Sequence, residues 1–208
     1  MLSVFFFSLI TNFIYYCAGH STESYNNKDN EIDLAIKSLI KGTIILSLAA
    51  LTINFFFPLS KIVNSIIYLM VILFYLGKKK FTINFNAIKL ILFSTILTTG
   101  LLLYTNINRP DAGLYHLPYI SILNNEKIIL GLSNLHFRFG LTSIIQYLSA
   151  LNNNFLFNDL GILIPLASLA SFFIIYFHHE VIKFYSKIVE AIPESEIVLY
   201  NFEKLCGY

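Results

Sequence analysis

Charge is the scarcest ingredient of this sequence. Only 12% of the 208 residues are charged while 56% are hydrophobic, and the mean hydropathy is +0.69. A soluble domain is about a quarter charged. Halving that fraction excludes an ordinary solvated surface. Together with 20 Phe and 13 Tyr, it points to lipid as the solvent. The net charge is +2 and the lysines are scattered, which argues against nucleic acid as a partner. Cysteine is almost absent. Cys17 and Cys206 lie nearly the whole chain apart, and neither belongs to a CxxC pair. That removes zinc and redox motifs and leaves two incidental thiols. No Lys or Arg precedes Lys28, so the basic start of a cleaved signal peptide is missing and the first apolar stretch reads as a retained helix. Internal repeats and Pro- or Gly-rich linkers are also lacking.

Long apolar runs are what the chain does have. A crossing helix needs roughly 20 mostly apolar residues. Stretches near 2–18, 39–57, 62–77 and 88–104 meet that, and a fifth near 160–177 is equally apolar, with Pro165 in its first turns, where a missing N–H costs least. The expected fold is all-α: a multi-span helical membrane protein with about five transmembrane helices, plus juxtamembrane interfacial helices in one external loop. Its parts are four crossing helices in 1–104, an external loop over 105–158, a fifth span over 159–178 and a cytoplasmic tail over 179–208. Lys and Arg near helix ends set the orientation. With Lys78, Lys79 and Lys80 inside, ten basic residues fall on the cytoplasmic side. Only Lys61, Arg109, Lys127 and Arg138 then lie outside.

Residues 141–157 could pass for a sixth span. However, Leu141, Ile144, Ile145, Leu148 and Leu151 share one helical face, while Thr142, Ser143, Gln146, Ser149 and Asn153 line the other. That pattern predicts an amphipathic helix lying in the interface, closed by the Asn152–Asn154 run.

The external loop concentrates the chemistry. Pro110 suits the first turn of a helix, which puts Asp111 where the helix dipole favours negative charge. Tyr115 follows at i+4 on the same face, with His116 beside it. Pro118 predicts a kink or a second start. Gly131 and Ser133-Asn134 mark a turn, and "LHFRFG" then brings His136 and Arg138 just before the amphipathic helix. The guanidinium of Arg presents a planar fork that suits phosphate, and His can share a proton near neutral pH. A carboxylate on one arm and an Arg/His pair on the other suit transfer from a phosphate-activated donor. Each side chain also has a plainer role. Asp111 could cap a helix. Arg109 and Arg138 could anchor to headgroups, and His116, His136, His178 and His179 could be hydrogen-bonded at the interface. Glu126 and Lys127 read as a solvated turn.

The order of these features resembles the start of the GT-C superfamily of integral-membrane glycosyltransferases, such as protein O-mannosyltransferases and aminoarabinose transferases. The resemblance covers about residues 88–178. Asp111 matches the essential Asp of the first external loop, Tyr115 an aromatic position, and His136 the His of the later segment. The string "DAGLYHLPYI…NEKIILGLSNLHFRFG" is more closely similar still to a loop in a group of uncharacterised bacterial multipass proteins. Phe137 stands where those transferases often have Pro, and they usually carry many more spans. The expectation is therefore an N-terminal portion of a longer gene, or a chain that has lost activity. The resemblance implies a polyprenyl-phosphate sugar donor used at the outer face of a bacterial inner membrane. Asp111 would be the acceptor base or a carboxylate assisting a divalent metal. Tyr115, His116, His136 and Arg138 would be the substrate-binding residues. The rival is a non-catalytic multipass membrane protein, a structural subunit or transporter fragment. Against ion coupling stands the placement of charge in the loop rather than at mid-membrane.

Overall fold

The computed structural model describes residues 2–22, 31–77, 85–104, 112–135, 137–140 and 143–191. Among these residues seven α-helices run in the order α1 (Leu2–His20), α2 (Glu31–Asn54), α3 (Lys61–Leu76), α4 (Phe85–Tyr104), α5 (Leu117–Asn125), α6 (Ile144–Leu151) and α7 (Ile164–Ala191). A π-turn (Ala112–His116) leads into α5, and short 3₁₀ turns cover Leu132–Asn134, Phe137–Gly140 and Asn158–Leu163. No strand occurs among the described residues.

Among the described residues four helices are long and apolar enough to cross a membrane: Leu2–His20, Glu31–Asn54, Phe85–Tyr104 and the run Asn158–Ile188. The span expected near 62–77 corresponds to α3, which is apolar but has only 16 residues. It is about 24 Å long, against about 30 Å of hydrocarbon. Its ends are fixed by local chemistry. Ser60 Oγ accepts from Val63 N at 3.4 Å, and Gly77 caps the C-terminus.

The chain divides into two compact units, Met1–Phe173 and Ile174–Tyr208. In the first, α1 and α2 pack antiparallel through glycine. A Cβ on Gly19 would lie 1.8 Å from Ser38 O, and one on Gly42 would lie 1.8 Å from Tyr15 O. Only hydrogen side chains permit that approach, the close packing that small residues allow between apolar helices. Polar side chains join the other pairs. Asn12 Nδ2 donates to Ser94 Oγ and Thr95 Oγ1, each at 3.3 Å, and Thr98 and Ser171 hydroxyls meet at 2.9 Å.

The contacts also fix helix directions. Asn86 Nδ2 donates to Glu31 Oε2 at 3.0 Å, so α4 starts beside the start of α2. Tyr75, near the end of α3, packs on Phe13 and Tyr16 of α1. Thus α3 runs from the C-terminal end of α2 back toward its N-terminal end.

Asparagines tie together the C-terminal end of α2. Asn64 Nδ2 reaches Leu59 O, Ala150 O and Asn153 O at 2.7–2.8 Å. Asn54 Nδ2 reaches Glu126 O at 3.1 Å, and Asn54 O accepts from Ile128 N at 2.9 Å. Asn124 Nδ2 donates to Leu59 O and Ala150 O, and Asn153 Nδ2 to Asn124 Oδ1. Tyr68 donates to Asn152 Oδ1, and Asn152 Nδ2 donates to Gly161 O at 3.2 Å. Unpaired buried carbonyls are costly, and here amides satisfy those of three turns at once.

The helix expected over 141–153 is observed as α6, eight residues and about 12 Å long, too short to cross. Its polar face differs from expectation. Gln146 and Ser149 are buried along with Tyr147, Leu148, Ala150 and Leu151. In the second unit, the described residues continue α7 to Ala191, beyond the span end expected at 178. Phe177, Val181, Phe184 and Tyr185 are exposed on it, and Lys183 pairs with Glu180 at 3.5 Å.

Candidate functional site

Two short helices build the site. Helices α5 and α6 run side by side in the same direction, as three contacts in register show: His116 with Gln146, Tyr119 with Tyr147, and Asn124 with Ala150. Their C-terminal ends enter the asparagine network. The candidate residues gather at the other ends.

Pro118 acts as the sequence predicts. Its nitrogen cannot donate to the carbonyl of residue 114. The backbone takes the wider π-turn over Ala112–His116 and then restarts as α5, with Pro118 in the first turn. Such π-turns recur at functional sites because they redirect side chains. Tyr115 and His116 lie on this one, their rings 4.2 Å apart. Gly131 takes φ 86°, the left-handed conformation its turn requires, and Asn134 N donates to Gly131 O at 2.9 Å. The 3₁₀ turn Phe137–Gly140 then carries Arg138 back over Tyr115. The guanidinium lies 4.7 Å from the Tyr115 ring centroid and 5.7 Å from that of Phe137. A cation stacked in this way gains about 0.5–2 kcal/mol, depending on exposure. Phe139, next in the chain, packs 6.1 Å from Tyr119 and fastens the turn to α5.

Of the five residues singled out from sequence, the structure therefore brings Tyr115, His116 and Arg138 together. Asp111 and His136 lie outside the described residues. Sequence reasoning missed Gln146. Its Nε2 sits 3.2 Å from His116 Nδ1 and its Oε1 accepts from Ser143 N at 3.0 Å. The signal for it was present: Ser143-x-x-Gln146 is a capping-box spacing. Glu126 and Lys127 are exposed in a bend, the solvated turn the sequence suggests. Among the described residues no group of three His, Cys, Asp or Glu could hold a metal ion. The described side chains here, an imidazole, a phenol, an amide and a guanidinium, do not form a divalent-metal donor set. A groove of about 380 Å³ between α1 and α4 is lined by Leu9, Ile10, Phe13, Ile88, Ile91 and Leu92. It holds no group that could act chemically.

A family model described as a domain of unknown function, DUF8201, matches residues 1–203. The chain belongs to this family. The DUF8201 match takes in every helix from α1 to α7 and the whole candidate site. No curated protein and no solved structure matches the chain.

Proposed function

We propose that this DUF8201 chain is an integral membrane protein carrying the site of a GT-C-like glycosyltransferase, which transfers a sugar from a polyprenyl-phosphate donor at the outer face of a bacterial inner membrane. The observation that carries the reading is the placement of Arg138 over Tyr115, whose ring lies next to that of His116. The guanidinium lies over the Tyr115 ring, and guanidinium geometry suits phosphate.

The proposed topology has five crossings, with α3 added to the four helices long enough to cross. The 16 residues of α3 are short, but a short apolar helix is accommodated by local thinning of the bilayer and by long-stemmed flanking residues such as Lys61. The direction of α3 and the Asn86–Glu31 contact put the C-terminal end of α3 and the start of α4 at the same end of the bundle as the end of α1 and the start of α2. This agrees with the side that the Lys and Arg distribution assigns to the cytoplasm.

In the proposed reaction Asp111 takes the proton of the acceptor hydroxyl. The acceptor oxygen bonds to the anomeric carbon as the bond from that carbon to the phosphate oxygen breaks. Arg138, with His116 and His136, holds the departing phosphate, whose growing charge such donors stabilise. The test is transfer from a polyprenyl-phosphate sugar in proteoliposomes. Asp111→Asn is expected to lower the rate on the order of a hundredfold or more, as loss of a general base does, while Glu126→Gln stays active. If Asp111 only caps a helix, the substitution costs at most about 1 kcal/mol of stability and transfer is normal. That result removes Asp111 as the base and its loop as the catalytic centre.

A further inference from the structure

The pair Gln146–His116 assigns a role that neither residue type announces on its own. A backbone N–H can only donate, and Ser143 N donates to Gln146 Oε1 at 3.0 Å. This contact fixes which end of the amide is oxygen. The other end, the NH2 group of Nε2, therefore faces His116 Nδ1 at 3.2 Å. An amide NH2 is donor only, so Nδ1 must be the acceptor and the ring proton sits on Nε2. Gln146 is buried, whereas His116 is exposed, so the buried partner orients the exposed one. Resting on the reading of this site as a phosphate site, we infer that Gln146 is a positioning residue that holds His116 as an Nε2–H donor. His116 thus binds a phosphate oxygen beside Arg138 and is not the base that takes the acceptor's proton.

Long-range proton–nitrogen NMR correlations on the histidine-labelled protein in nanodiscs test this, with the His116 signals identified by their loss in His116→Gln. The wild type is expected to show the proton on Nε2. An exposed neutral histidine favours that form in water anyway, so the variants decide. Gln146→Glu keeps an acceptor for Ser143 N but offers His116 an acceptor instead of a donor. It is expected to place a proton on Nδ1 at neutral and alkaline pH. Gln146→Met removes both bonds and is expected to leave Nδ1 unprotonated but without its bonded shift. If the Gln146→Glu spectrum keeps the wild-type pattern while the variant remains folded, the positioning role is overturned. Inorganic phosphate titrated into the wild type is expected to move the His116 Nε2–H signal, with the shift lost in Gln146→Glu. No movement overturns the ligand assignment. Neither readout requires sugar transfer, so both stand or fall separately from the transferase reading.

Discussion

At the scale of single residues, the site depends on side chains whose geometry is fixed by neighbours rather than by their own backbone. Arg138 is held by the face of Tyr115, so the ring matters and its hydroxyl does not. Tyr115→Phe is expected to leave donor affinity unchanged, while Tyr115→Ala raises the Kd about fivefold, the worth of a cation–π contact near 1 kcal/mol. Arg138→Lys keeps the charge but loses the planar stack and fork and is expected to weaken binding more than Tyr115→Ala does. Titration of the variants with a polyprenyl-phosphate sugar in nanodiscs checks the order. Equal loss in Tyr115→Phe and Tyr115→Ala would remove the stacking role. The asparagines make a separate residue-scale claim. Asn64 is fully buried and serves three carbonyls. Two of them, Leu59 O and Ala150 O, keep Asn124 as a donor, but Asn153 O does not. Asn64→Ala is expected to cost about 3 kcal/mol, seen as easier unfolding in denaturing detergent titrations.

At the scale of elements, legibility in the sequence followed the number of jobs a residue type can do. Pro118 and Gly131 have few options, and the break and the turn appear where those residues demand them. The two-faced helical pattern in 141–153 correctly marked a helix but misassigned its polar face. An amide turned toward water and an amide turned toward a buried partner look alike in a sequence, and Gln146 takes the second course. The Asn152–Asn154 run was legible as a helix stop. Its bonds to α3 and to Gly161 depend on partners distant in the chain, which no local pattern encodes. The contact of α1 with α2 was likewise invisible, because Gly19 and Gly42 are ordinary members of apolar runs. Gly42→Ala is expected to force α1 off α2, costing about 3 kcal/mol as overpacked cores do, whereas Gly100→Ala, with nothing within 4 Å of its added Cβ, is expected to be neutral or slightly stabilising. Thermal unfolding of the two variants in one detergent separates them, and equal midpoints would refute the close approach.

At the scale of the whole molecule, scarcity of charge announced apolar helices, and length then separated α3 from the four helices long enough to cross. The site's catalytic reading depends first on where its loop stands relative to the membrane. Helix α2 supplies the two ends to compare. Its 24 residues cover about 36 Å, more than the hydrocarbon thickness. Thr22 lies in the turn before its N-terminal end, and the asparagine network ties the turn after α5 to its C-terminal end. The most direct measurement is labelling of intact cells with a membrane-impermeant thiol reagent, in a background of Cys17→Ala and Cys206→Ser. The expected result is that Ser133→Cys labels from outside and Thr22→Cys labels only after the membrane is opened. Labelling of both from the same face would contradict the account.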